Sequence, residues 1–151
     1  MDRYFPLFIK SGDVRFLVVG GGKIALRRVN TLLKFDFSIR IVSPSLCTGL
    51  EKLAGSGKIE YIKDIYRKEY LSGCQLATAC TDRRDVNRQA GRDCREAGIP
   101  VSVCDCRDEC TFYFPAIAAG DDVVCGIAGG EDHGKTRRIA SEIREIVEVE
   151  K

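Results

Sequence analysis

The chain has 151 residues, 44% hydrophobic and 30% charged, with a formal net charge of +2. This length and balance suit one compact domain, with at most a small appendage, and so small a net charge gives no electrostatic footprint for a nucleic-acid partner. No apolar run approaches the roughly 20 residues that span a bilayer, and no secretory signal follows Met1-Asp2-Arg3, so no membrane contact and a cytoplasmic location are expected.

Strand and helix patterns alternate along the chain. Residues 14–19 form a β-branched run that ends in glycines, a buried strand. Helical spacing follows over 23–34, with Ala25, Leu26, Val29, Leu32 and Leu33 apolar. A second strand at 38–42 stops at Ser43-Pro44, a short helix is expected over 46–53, and a third strand over 59–62. One helical turn at 68–71 precedes a fourth strand at 75–80. Thr81-Asp82 offers a cap for a helix over 83–97, with Gly98 at its C-terminal turn and Pro100 as its stop. The fifth strand is 101–104.

After Cys104 the rhythm changes. Strands are expected over 111–118 and 122–127, then a glycine-rich turn and a final helix over 135–149. Strand–helix repeats with short connections imply a parallel sheet with right-handed crossovers. The expected fold is therefore α/β: a Rossmann-like parallel sheet with helices on both faces, followed by a small strand-strand-helix segment. The division falls at 1–111 and 112–151.

The segment from Gly20 to Ala25 reads G-x-G-x-x-A, with Gly20, Gly22 and Ala25 in the small positions and Gly21, Lys23 and Ile24 between them. The first allows a tight turn, the second a close approach of backbone to a pyrophosphate, and the third close helix–strand packing. The motif follows a strand and opens a helix, the context in which it binds a dinucleotide. A purely structural turn is the plainer alternative. The acid that ordinarily meets the ribose after the second strand is absent; Ser43, Pro44 and Ser45 occupy its place. No arginine follows to favour a 2′-phosphate, so NAD is the expected cofactor.

Ligands of open parallel sheets sit beyond the carboxyl ends of the strands. Asp82 ends the fourth strand and Asp105 the fifth. A carboxylate there could take a proton while hydride leaves a substrate, although for Asp82 a helix cap is the better reading. Lys135, Arg137 and Arg138 crowd the start of the last helix, against the helix dipole. Either an anionic ligand or simple solvation accounts for them.

Eight cysteines are scattered through the predicted elements, which favours reduced thiols packed as small apolar groups over a disulfide framework. The spacing of Cys104, Cys106 and Cys110 matches no common zinc pattern. His133, the only histidine, lies in a glycine-bounded loop, and no metal site is expected.

Several pieces taken together resemble the precorrin-2 dehydrogenase family, including the N-terminal module of bifunctional siroheme synthases. They are Pro6-Leu7-Phe8, Val18 to Gly22 with Ala25 and Arg28, Ala79 to Asp82 with Val86-Asn87, Val103-Cys104-Asp105, Phe112 to Ile117, and Gly129-Gly130 followed by Arg137. The resemblance implies NAD-dependent oxidation of precorrin-2 to sirohydrochlorin, with ferrous-iron insertion in some members. It implies a homodimer joined through the segment after the Rossmann domain, and it gives Asp105 the catalytic role. The basic helix start would suit a polycarboxylate tetrapyrrole.

Family members carry a further helical segment covering the tetrapyrrole, so 112–151 is expected to be a shortened form of the dimerisation and substrate-covering part. Ala128 and the stretch 131–134 also depart from the family's pattern. On this reading Gly20 to Ala25 hold the pyrophosphate, Ser43 to Ser45 face the ribose, and Thr81 and Asp82 border the cofactor. Asp105 acts as base, and Lys135, Arg137 and Arg138 meet substrate carboxylates. Two other readings remain open from sequence: a non-catalytic NAD(H)-sensing module that regulates a partner, and a metal-handling protein using the cysteines and His133.

Overall fold

The strand β1 (Arg15–Val19) buries Phe16, Leu17, Val18 and Val19, residues that face alternately to its two sides. A strand apolar on both faces needs cover on both, which a doubly wound parallel sheet supplies. The computed structural model describes residues 4–129 and 133–149. In it β1 lies at the centre of a five-stranded sheet with β2 (Ser38–Val42), β3 (Glu60–Ile62), β4 (Leu76–Ala79) and β5 (Val101–Val103). The order is β3-β2-β1-β4-β5 and every pairing is parallel. Winding reverses between β1 and β4, which opens the crevice where ligands of such sheets bind.

Helices α1 (Lys23–Leu32), α2 (Thr48–Gly55) and α3 (Arg84–Glu96) make the crossovers. α1 and α2 touch where Gly49 leaves room for Leu26; a Cβ there would meet Leu26 Cδ2 at 2.6 Å. Ala90 and Cys94 of α3 pack with Leu17, Val19, Val42, Ala77, Ala79, Val101 and Val103 into one buried cluster. α3 ends as the sequence signals. Gly98 has φ of 69°, the Ile99 N–H donates to Cys94 O at 2.8 Å, and the Gly98 N–H donates to Arg95 O at 3.1 Å. These are the paired bonds of a Schellman turn.

Two expectations are corrected. Asp82 does not cap α3: the N-cap is Arg83, without a side-chain cap bond, and the Arg83 N–H instead donates to Thr81 Oγ1 at 3.1 Å. The strand expected over 111–118 begins only at residue 116. The Thr111 N–H is already taken by Val101 O at 2.8 Å, and Pro115 has no N–H to give a ladder.

The chain divides into two compact units, Ile9–Phe112 and Met1–Phe8 with Tyr113–Lys151. The first holds the parallel sheet. In the second, β6 (Ala116–Ala119) and β7 (Val124–Ile127) pair antiparallel and carry α4 (His133–Val149). Arg144 Nε donates to Ile117 O at 3.2 Å, and Ala118 and Ala140 are buried. Gly130, Glu131 and Asp132 of the expected glycine-rich turn lie outside the described residues, as does the side chain of His133. No described helix is long and apolar enough to cross a membrane.

Leu17 is fully buried at the centre of the sheet. Leu17→Ala is expected to lower unfolding free energy by about 2–5 kcal/mol in urea titrations; an unchanged midpoint would remove it from the core.

Candidate functional site

The carboxyl end of β1 turns sharply into α1. Gly20 makes the turn with φ of 127°, and a Cβ on it would stand 2.7 Å from Cys80 O. A Cβ on Gly21 would collide with Ser45 O and lie 2.7 Å from Ser43 Oγ. Gly22 differs: nothing lies within 4 Å of where its Cβ would be. The packed glycines hold the turn, and the open one leaves its outer surface clear.

Carbonyls of this turn are occupied by α2's entry. The Cys47 N–H donates to Gly21 O at 2.7 Å, and Cys47 Sγ lies 3.8 Å from Gly22 O. The Gly20 N–H donates to Val42 O at 3.0 Å, but Gly22 is the N-cap of α1 and, among the described residues, no side chain caps that end. The first amides of a helix have no partner within it, and they carry the positive end of its dipole. Lys23 and Ile24 are exposed, while Ala25 is fully buried where α1 meets the sheet.

The β2 end is arranged unevenly. Ser43 is only 8% exposed; its N–H donates to Ile62 O at 3.2 Å and its carbonyl accepts from the Tyr61 hydroxyl at 3.1 Å. Pro44 and Ser45 are exposed. Of the three residues expected at the ribose, Ser43 is therefore turned in against the glycine turn.

Across the crevice, the ends of β4 and β5 are joined by a residue that sequence reasoning did not single out for the site. Asn87, on α3, is fully buried. Its Oδ1 accepts from the Thr81 N–H at 2.9 Å and from the Thr81 hydroxyl at 2.7 Å. Its Nδ2 donates to Thr81 O at 3.0 Å and to Asp105 Oδ2 at 2.9 Å. All four hydrogen-bonding positions of the amide are used. Arg84 approaches the other oxygen of Asp105, with Nη1 3.6 Å from Oδ1, and also donates to Glu109. That bond holds the Glu109 carboxyl below its ordinary range. The Asp105 side chain keeps 35% of its surface exposed, so its carboxylate is oriented from behind and open in front. Asp82 is exposed.

One signal for Asn87 was present in the sequence. Asn87, Ala90, Gly91 and Cys94 have the spacing of one buried helix face, and an asparagine there must find partners inside. Lys135, Arg137 and Arg138 stand exposed on α4 of the second unit, with Arg138 Nε 3.9 Å from Glu142.

Residues 7–116 match a protein family described as "Putative NAD(P)-binding". The chain belongs to this NAD(P)-binding family. Over 144 residues it is 40% identical to a "Probable multifunctional siroheme biosynthesis protein HemA" of Ruminiclostridium josui, covering 94% of this chain and 28% of that protein. It is 37% identical over 125 residues to a "Siroheme synthase" of Methylobacillus flagellatus, covering 83% of this chain and 27% of that one. The chain thus spans less than a third of the length of these relatives. A solved structure named "SirC, precorrin-2 dehydrogenase" superposes with a TM-score of 0.74 at 20% identity, over 94% of this chain and 70% of that one. The resemblance drawn from sequence is borne out in these relatives, and the Rossmann-like fold in the superposition.

The NAD(P)-binding family's ligand fits the residues present. A pyrophosphate needs uncapped helix amides and a surface without a Cβ in the way, and α1 with Gly22 offers both. Gly22→Asp tests this directly. Aspartate is a good N-cap, so stability is expected to change by less than about 1 kcal/mol. Its carboxylate would fill the phosphate position, and NAD affinity by calorimetric titration is expected to fall by at least about tenfold, roughly 1.4 kcal/mol. An unchanged affinity would place the nucleotide elsewhere.

Proposed function

We propose that this NAD(P)-binding chain carries out the NAD-dependent oxidation of precorrin-2 to sirohydrochlorin. The observation that carries the reading is the Asp105 carboxylate, held by buried Asn87 at the same sheet end as the glycine turn and open on its outer side. Siroheme proteins among the relatives supply the substrate class.

Dehydrogenation removes a hydride from one carbon and a proton from another position. NAD, when bound, takes up the hydride. In this reading the amides of Gly21 to Ala25 bind the pyrophosphate, Pro44 and Ser45 border the ribose with Ser43 behind them, and Thr81 and Asp82 line the far side. Asp105 receives the proton on an oxygen whose direction Asn87 and Arg84 fix. Both act without touching substrate, so they are positioning residues. Exposed Lys135, Arg137 and Arg138 offer charge to substrate carboxylates.

Under the same reading, residues 1–111 bind the cofactor and 112–151 serve dimerisation and substrate covering in a cytoplasmic homodimer. Phe5, Leu7, Phe8 and Ile146 of the second unit are strongly exposed apolar side chains, which supports an interface there.

A turnover assay with precorrin-2 and NAD decides the matter. General acid–base groups contribute about 10²–10⁴-fold, so Asp105→Ala is expected to lower the rate by at least about a hundredfold with NAD affinity retained. Equal rates would remove Asp105 from the chemistry. Binding of NAD without turnover in the unaltered chain would favour the NAD(H)-sensing reading instead.

A further inference from the structure

Two cysteines end neighbouring strands at the same level of the sheet. β4 and β5 pair with Ala79 opposite Val103, so the next residues, Cys80 and Cys104, stand opposite each other and face the same side. Neighbouring strands lie about 4.8 Å apart, within the roughly 4.4–6.8 Å of Cα separation that a disulfide bridges. Cys104 Sγ lies 3.7 Å from Thr78 Oγ1, and each of the two thiols perturbs the titration of the other. The Arg28 guanidinium reaches the pair from α1.

The sulfurs are unequal. The neighbouring Cys104 sulfur, together with burial, holds the Cys80 thiol well above its ordinary range. The neighbouring Cys80 thiol, helped by Thr78 and Arg28, lowers Cys104 to about 6 despite burial. Cys80 is 5% exposed, whereas Cys104 is only partly buried. The member with thiolate character is thus the one that solvent reaches, which is the arrangement of an attacking and a resolving sulfur. The Cys110 sulfur is engaged elsewhere: it accepts the Val103 N–H at 3.1 Å. The proposed dehydrogenation uses neither Cys80 nor Cys104.

We propose that Cys104 and Cys80 form a peroxide-reactive pair, in which Cys104 attacks a hydroperoxide and Cys80 resolves the product as a disulfide. The Cys104 thiolate attacks one peroxide oxygen and the O–O bond breaks. Cys104 becomes a sulfenic acid through loss of two electrons, and the departing oxygen leaves as water after protonation. The Cys80 sulfur then attacks the Cys104 sulfur, and the sulfenic oxygen departs as a second water with the Cys80 proton. Two thiols and one hydrogen peroxide give one disulfide and two waters.

The linkage bears on the nucleotide site. Gly20 rests against the Cys80 carbonyl, and Asp105 directly follows Cys104. A bond between the two sulfurs re-orients the backbone at the ends of β4 and β5 that carries both, so the oxidised chain binds NAD more weakly. This consequence rests on the nucleotide reading; the disulfide itself does not.

Hydrogen peroxide is added to the full chain, free thiols are alkylated, and peptides are mapped by mass spectrometry. A Cys80–Cys104 linked peptide that dithiothreitol reverses is expected. In Cys80→Ala, dimedone is expected to trap Cys104 as the sulfenic acid. On oxidation, NAD affinity by fluorescence titration is expected to fall by at least about fivefold and to recover with dithiothreitol. Linkage through other cysteines, or survival of both thiols as free alkylated residues, would overturn the proposal. A formed disulfide with unchanged NAD affinity would overturn the coupling to the site. Failure of the reduced chain to bind NAD would count against the nucleotide reading alone.

Discussion

Gly20 passes between two strands where no side chain fits. Its N–H donates to Val42 O at 3.0 Å on the β2 side, while a Cβ on it would stand 2.7 Å from the Cys80 carbonyl oxygen beyond β4. With φ of 127°, the backbone is in a region that L side chains rarely adopt. These constraints fix where α1 begins and which way its amides face. Ala25, fully buried, then keeps α1 close enough to the sheet for that direction to persist. The proposed cofactor cradle is thus a consequence of how the central strand leaves the sheet.

The opposite wall is held by different physics. Asn87 is buried with every polar position satisfied, so moving it would strand several groups at once. It ties the Thr81 backbone to the Asp105 carboxylate, and Arg84 supports the second oxygen. One wall presents amides and the other a carboxylate, which suits a reaction that separates hydride and proton.

Much of the sheet was legible in the sequence because buried parallel strands are short apolar runs closed by glycine, proline or serine. Gly98 and Pro100 similarly signalled the end of α3. Of the Thr81-Asp82 pair that the sequence offers as a cap, it is the Thr81 hydroxyl that takes the Arg83 amide, and Asp82 stays exposed. Periodicity over 111–118 does not reveal that Thr111 is bound to β5, which delays the strand to residue 116. Contacts between elements were the least visible. Nothing local marks Asn87 as the partner of Asp105, or Cys80 as the neighbour of Cys104; both follow from strand order and register.

Amide hydrogen exchange with and without NAD tests the central claim, that the dinucleotide lies on the amides at the start of α1. The account predicts slowed exchange at residues 20–25, with smaller changes at 43–45 and 81–82. Saturating NAD that leaves exchange at 20–25 unaltered would contradict it.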